Sequence, residues 1–181
     1  GDGIPQRTVP GVHPKGAYFT RGSGHNQYGG YTEDSRDYQI VVDRLRKKWV
    51  TASKLVPPAV IEASAGSDLA IITMGSGDGA VREAIARLTA MGVKVDYMRV
   101  RGFPFGDEVE RFMSGHQMNF IVEQNRDAQL RALLTLETGV QKGHMRSILH
   151  YNGMPLSAGY VVVGVMSAVQ DRQRPAAQLV S

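Results

Sequence analysis

The chain has 181 residues, enough for one ordinary domain with an appended arm. Its 42% hydrophobic and 21% charged residues are those of a globular protein, and no apolar run reaches the roughly 18 residues of a membrane span. Cysteine is absent, which excludes disulfides, thiolate zinc sites and cysteine-bound iron–sulfur clusters within the chain and makes the cytoplasm the expected compartment.

The net charge of +4 is uneven: residues 1–56 hold nine lysines and arginines against five acidic residues, and the remainder is balanced. The densest basic stretch is Arg44, Arg46, Lys47 and Lys48. A solvated helix face near a helix C-terminus accounts for it, since cations offset the dipole there. A nucleic-acid surface is the weaker reading, and nucleic acid is not expected as a partner. The chain opens Gly-Asp-Gly, without an initiator Met or a signal pattern, so a fragment or a processed chain is expected.

Residues 1–34 read as an extended arm. Pro5, Pro10 and Pro14 break regular structure, and eight glycines lie among them. Tyr18, Phe19, Tyr28 and Tyr31 are poor residues for a solvated tether, so the arm is expected to pack on a neighbouring domain. Residues 35–54 form a predicted helix, with Tyr38, Val41, Val42, Leu45 and Trp49 on one face and Asp34 or Ser35 as cap. Trp49 is expected to anchor that helix to its neighbour. Pro57 and Pro58 mark a boundary, giving expected domains of 1–56 and 57–181.

Beyond the prolines, residues 60–63 read as a short edge strand and residues 69–74 as an apolar strand. A helix follows with Val81, Ala84, Ile85 and Leu88 on one face, stopped by Gly92. Residues 93–100 alternate as a strand, and residues 107–113 form a short helix with Val109, Phe112 and Met113 inward. Residues 118–123 are the next strand. Residues 127–138 are a helix with Leu130, Leu133 and Leu134 buried and Leu136 beside them. A strand over 146–151, a helix over 155–170 opened by Pro155, and a frayed tail complete the chain. Strands alternating with helices imply right-handed βαβ units and a mainly parallel sheet of about five strands, one of them an antiparallel edge.

The stretch Gly75-Ser76-Gly77-Asp78-Gly79-Ala80 joins strand to helix, where open α/β folds place their crevices. Its glycines allow close approach of a partner, and the helix that follows offers N–H groups to an anion. It lacks the Lys-Ser/Thr of a phosphate-binding P-loop, and Asp78 is equally able to cap its own helix. Both readings stand at this point. The loops at residues 75–79, 102–106 and 123–127 would converge on one sheet edge, where Glu123, Asn125 and Arg126 offer an acceptor, an amide and a cationic fork, or cap their own helix.

No nucleophile elbow is present. Ser23 and His25 are near in sequence only, which does not make a catalytic pair. The five histidines, His13, His25, His116, His144 and His150, show no metal-ligand spacing, and His150 reads as a half-buried structural residue.

Several strings carry a family likeness. The arm Gly3-Ile-Pro-Gln-Arg-Thr-Val-Pro-Gly11, the run Tyr18-Phe-Thr-Arg-Gly-Ser-Gly-His25, the turn Gly75-Ser-Gly-Asp-Gly-Ala-Val-Arg-Glu83 and the string Val122-Glu-Gln-Asn-Arg-Asp-Ala-Gln-Leu130 resemble the α subunit of 2-oxoacid:ferredoxin oxidoreductases. The resemblance implies its C-terminal part. That is a transketolase C-terminal-like, three-layer α/β/α sandwich with a five-stranded, mostly parallel sheet of order 1-3-2-4-5, preceded by an extended arm and a helix. It also implies an enzyme that joins a 2-oxoacid, closest to 2-oxoglutarate, to coenzyme A while reducing ferredoxin. Thiamine diphosphate, Mg2+ and [4Fe-4S] clusters are expected on other domains or chains, with none bound by this chain alone. Partners are the remaining α-subunit domains and the β subunit, with ferredoxin and coenzyme A serving the complex.

The resemblance also bears on candidate site residues. Arg21, flanked by glycine, and His25 are expected to lie against the preceding domain, where the arginine would meet a carboxylate or phosphate. Ser76, Asp78, Asn125 and Arg126 are the rim candidates for the cleft or for docking. No residue is assigned as catalytic or as a metal ligand. Residues 154–169 are more apolar than the charged final helix expected of the family, which points to burial against another subunit. The competing reading is a stand-alone anion- or nucleotide-binding α/β module built on the glycine turn.

Overall fold

The computed structural model describes residues 1–17, 22, 24–63 and 66–173. It divides into two compact units, Gly1–Val56 and Pro57–Ser181. Arg21 and most of the aromatic–arginine run around it, and the tail beyond residue 173, lie outside the described residues.

In the first unit the arm contains a 3-10 turn, Pro14–Gly16, and a tight reversal in which His25 bridges Tyr31. Asn26 Oδ1 accepts from the N–H groups of Tyr28 and Gly30 and holds the reversal closed. Helix α1 (Ser35–Leu55) starts at Asp34, whose carboxylate accepts from the N–H groups of Arg36 and Asp37. The beginning of the arm lies on α1. Arg44 donates to the Gly3 carbonyl at 3.0 Å and Thr51 Oγ1 to the Asp2 carbonyl at 2.5 Å. Gly3 has φ +81°, and a Cβ there would stand 2.2 Å from the Lys48 nitrogen. Backbone therefore meets backbone, which only glycine permits. No α1 residue is buried, and Trp49, expected as its anchor, is 51% exposed.

The second unit is a five-stranded sheet of order β1-β3-β2-β4-β5. The strands are β1 (Val60–Glu62), β2 (Leu69–Met74), β3 (Asp96–Val100), β4 (Met118–Glu123) and β5 (Met145–Leu149). Only β1 runs antiparallel. Helices α2 (Asp78–Ala90), α3 (Asp107–Ser114), α4 (Gln129–Glu137) and α5 (Ala158–Gln173) cover it. The strand alternation sorts the core. Ile71, Tyr97, Phe120, Val122 and Ile148 pack with Val81, Ala84 and Leu88 of α2 and Val161 and Val165 of α5. Ala70, Ile72, Met98, Val100 and Ile121 pack on the other face with Val109, Phe112 and Met113 of α3 and Leu130 and Leu134 of α4. Burying each large side chain of these layers contributes about 2 kcal/mol. The result is the three-layer α/β/α sandwich read from the sequence.

Element boundaries shift where caps intervene. The strand expected from residue 93 begins at Asp96, because Gly92 and Val93 close α2. Gly92 has φ +80°, its N–H donates to the Thr89 carbonyl at 3.0 Å, and Val93 N–H donates to the Leu88 carbonyl at 2.9 Å. The helix expected from residue 127 starts at Gln129, because Ala128 is left-handed at φ 52°. The helix expected from Pro155 starts at Ala158. Asn152 Oδ1 first closes a turn by accepting from Met154 N–H, and Ser157 Oγ accepts from Tyr160 N–H. Leu136 is 79% exposed and not part of the core. The apolarity of α5 is used largely within this unit. Val161, Val165 and Ala168 are buried, while Tyr160 and Val163 remain exposed. At the amino edge of the sheet, buried His116 spans Asp96 Oδ2 at 3.0 Å and the Phe112 carbonyl at 2.7 Å, and Asn119 donates to the Met113 carbonyl at 3.1 Å. Together they close the C-terminus of α3.

Candidate functional site

Strand β2 leaves toward α2 on one face and β4 toward α4 on the other, so the chain diverges between them at their carboxyl ends. Open sheets place a crevice at such a point. A cavity of about 310 Å³ lies there, lined by Thr73, Ser76, Val122, Gln124, Asn125 and Leu156 among others. A second cleft of about 550 Å³ shares Ser76 and Gln124 with it and is bounded by His150, Tyr151, Gly153, Met154 and Pro155 of the β5–α5 loop. The three loops leave the same carboxyl edge, since β2, β3 and β4 run parallel, but the loop after β3 lines neither cavity, and the loop after β5 completes the lining instead.

Each rim residue has a distinct placement. Ser76 lies in the 3-10 turn Gly75–Gly77, and its hydroxyl accepts from Gln124 Nε2 at 3.0 Å. Gly77 sits against Thr73, whose hydroxyl donates to the Val122 carbonyl at 3.0 Å. A Cβ on Gly77 would come 2.5 Å from Thr73 Oγ1. Asn125 lines the first cavity, but its amide is engaged. Its Oδ1 accepts from the N–H groups of Asp127 and Gln129, and its Nδ2 donates to Glu123 at 2.9 Å. Glu123 is 4% exposed and accepts from Leu130 N–H at 2.6 Å and Arg131 N–H at 3.1 Å, so a strand-end carboxylate caps α4. Arg126 points to solvent and pairs with Asp127 at 2.7 Å.

Asp78 neither caps its own helix nor lines the cleft. It is the first residue of α2, beyond the Gly77 cap position, so its side chain turns toward β3. There it accepts from Tyr97 O–H and pairs with Arg82 at 3.0 Å and Arg99 at 3.4 Å. The Tyr97 hydrogen bond, with the two arginines, holds the Asp78 carboxyl below the usual carboxylate range. Burial, then the Asp78 carboxylate, pushes the Tyr97 phenol well above its ordinary value. Arg82 also lies 5.1 Å over the Tyr97 ring and pairs with Glu62 at 2.7 Å, tying α2 to the β1 edge. His25, in the first unit, uses Nδ1 on the neighbouring Asn26 carbonyl at 2.9 Å.

This edge presents hydroxyls, amides and open backbone N–H groups. Among the described residues no base is hydrogen-bonded to Ser76, and both nearby carboxylates, Glu123 and Asp78, are engaged by donors of the chain. Among the described residues no three His, Cys, Asp or Glu gather where a metal could sit. The donor set therefore does not fit magnesium and diphosphate, and a chain without cysteine offers no thiolate for an iron–sulfur cluster. Sequence reasoning missed Gln124 and the β5–α5 loop. The Asn-Gly-Met-Pro turn of that loop, following a strand, was the available signal.

The chain is 32% identical over 158 residues to a 2-oxoacid:ferredoxin oxidoreductase α subunit of Saccharolobus solfataricus, covering 84% of this chain and 25% of that one. It is homologous to part of a 2-oxoacid:ferredoxin oxidoreductase α subunit. A second α subunit of that name, from Aeropyrum pernix, is 29% identical over 94% of this chain and 26% of its own length. The α-subunit segment thus spans about a quarter of the length of the curated relatives it matches. A solved structure of the 2-oxoglutarate:ferredoxin oxidoreductase from Magnetococcus marinus, with 2-oxoglutarate, coenzyme A and succinyl-CoA bound, superposes with a TM-score of 0.79 at 25% identity, over 93% of this chain and 29% of that chain. No family model matches the sequence. Among the described residues no helix is long and apolar enough to cross a membrane.

Proposed function

We propose that this chain is the transketolase C-terminal-like region, with its connector arm and helix, of the α subunit of a cytoplasmic 2-oxoacid:ferredoxin oxidoreductase of the 2-oxoglutarate type. The complex joins the acyl group of a 2-oxoacid to coenzyme A, releases CO2 and passes the electrons to ferredoxin. The observation that carries this reading is an alignment with α subunits over nearly the whole chain, together with its superposition on a 2-oxoglutarate enzyme.

Thiamine diphosphate supplies the carbanion chemistry when bound, and it sits, with Mg2+ and the [4Fe-4S] clusters, on other domains or chains. The residues of this chain position and dock. Residues 1–56 are the connector and 57–181 the α/β domain. The exposed α1 stripe of Tyr38, Val42, Leu45 and Trp49 is the face that meets the rest of the α subunit or the β subunit. Arg21 and His25 belong to that connector contact. Ser76 and Asn125, with Gln124, line the wall of the cleft, while Asp78 and Arg126 act beside it.

The test is assembly. The chain alone should show no 2-oxoacid-dependent reduction of ferredoxin. Restored to a complete α subunit with its β subunit, it should give coenzyme A-dependent reduction with 2-oxoglutarate. Replacing Leu45 and Trp49 with aspartate should prevent co-purification. An assembled complex that turns over no 2-oxoacid would refute the reading.

A further inference from the structure

Three helices begin around the two neighbouring cavities, and their N-termini differ. Glu123 and Asn125 satisfy α4, and Ser157 satisfies α5. The turn Gly75–Gly77 and the helix α2 that follows carry no side-chain cap, so the first N–H groups of this turn have no side-chain acceptor. The Ser76 hydroxyl accepts from Gln124, which leaves its own hydrogen for an outside acceptor. Opposite stands His150. It is 7% exposed and stacks edge-on against Tyr160 at 5.0 Å, and its imidazole makes no hydrogen bond among the described residues. It lines the 550 Å³ cleft together with Ser76 and Gln124. The ring is buried, but its nitrogens are not sealed from solvent, so they are open to an acceptor or donor that enters the cleft.

We infer that this cleft is a binding site for an oxyanion, a carboxylate or a phosphoryl group, held between the Ser76 hydroxyl, the N–H groups of the glycine turn and the imidazole of His150. The sign follows from what faces the cleft. Its lining contains no carboxylate. Glu123, in the adjoining cavity, already accepts three hydrogen bonds, and Asp78 is turned to Tyr97 and the arginines. The positive end of α2 adds to the donors. The lining also contains no lysine or arginine, so the site takes one oxyanion by hydrogen bonding and does not take a polyphosphate by charge. The inference concerns the chain by itself and does not require the assembled enzyme.

The experiment follows the imidazole signals of the five histidines by NMR in the 181-residue chain, with His150 assigned by their loss in His150→Gln. Inorganic phosphate and acetate are titrated separately, and coenzyme A in a third series. A saturable shift of the His150 signal by either anion is the expected result. The anion that acts identifies the source, phosphoryl or carboxylate, and a coenzyme A response at the same signal marks the phosphoryl case. Ser76→Ala should weaken binding about tenfold with the fold intact by circular dichroism, and Arg87→Ala, which removes an exposed ion pair with Glu83 away from the cleft, should leave it unchanged. A His150 signal unmoved by both anions overturns the proposal, as does a loss of binding in Arg87→Ala. Binding without assembly would leave this site standing and sink the enzyme reading; assembly and turnover without binding would do the reverse.

Discussion

The β2–α2 and β4–α4 turns leave the same sheet edge side by side, and they handle their helix ends in opposite ways. After β4, every polar group works for the fold. Glu123 and Asn125 bond the first N–H groups of α4, and Ala128 takes a left-handed backbone to bring them into reach. After β2, the carboxylate that sequence would assign as a cap is drawn away by Tyr97, Arg82 and Arg99, and the helix end stays open to the cleft. Carboxylate and glycine content alone do not tell a closed turn from an open one. What decides is whether the carboxylate ends the strand, as Glu123 does, or begins the helix, as Asp78 does.

The contrast can be broken most severely at the closed turn. Glu123→Ala leaves the N–H groups of Leu130 and Arg131 without their acceptor, and we expect a loss of about 3 kcal/mol by urea denaturation. At the open turn, Gly77→Val drives a side chain into Thr73, with an expected loss of about 2 kcal/mol and a narrowed cavity. Asp78→Asn should act mainly through pH. The folded-state carboxyl titrates below its unfolded value of about 3.9, so its contribution is present above that value and lost as pH falls through the lower folded one. Acid denaturation should therefore lose part of its pH dependence in this variant, measured as thermal midpoint against pH, while the closed turn is unaffected. The smallest expected effect is a gain. Ala128→Gly relieves the left-handed backbone and should stabilise by about 0.5 kcal/mol, read as a raised urea midpoint.

The sheet was legible because its signals are local. The run Leu69 to Met74 is apolar but for Thr73, as a strand covered on both faces requires, and the α2 stripe and the Gly92 stop are read from spacing alone. The strand order came through the family resemblance, since spacing does not rank neighbours. Asn125 was legible as a cap, and Ser76 as a rim residue. The pairing of Asp78 with Tyr97 was not, because it joins residues 19 apart that meet only once β3 lies beside β2. Nor was the left-handed Ala128, a conformation for which alanine gives no sign. His150 was read as half-buried and structural. In the structure it is buried and faces a cleft, because β5 ends at Leu149 and the next residues turn over the sheet edge. Trp49 was legible as part of the apolar stripe of α1, and spacing does not tell how much of that stripe is covered; Trp49 is 51% exposed.

The crossing of the arm over α1 has a consequence for how this segment tolerates change. Contact at Gly3 is made by main chain on main chain, with the Arg44 side chain clasping the Gly3 carbonyl. The joint reads no side-chain shape in the arm and asks only that one Cβ be missing. Among the first four residues, substitutions at the other positions should pass with little effect on the joint, while any at Gly3 should lift the arm from the helix. Mutational drift can then reshape the outward-facing side chains of the arm without moving the point at which it is pinned.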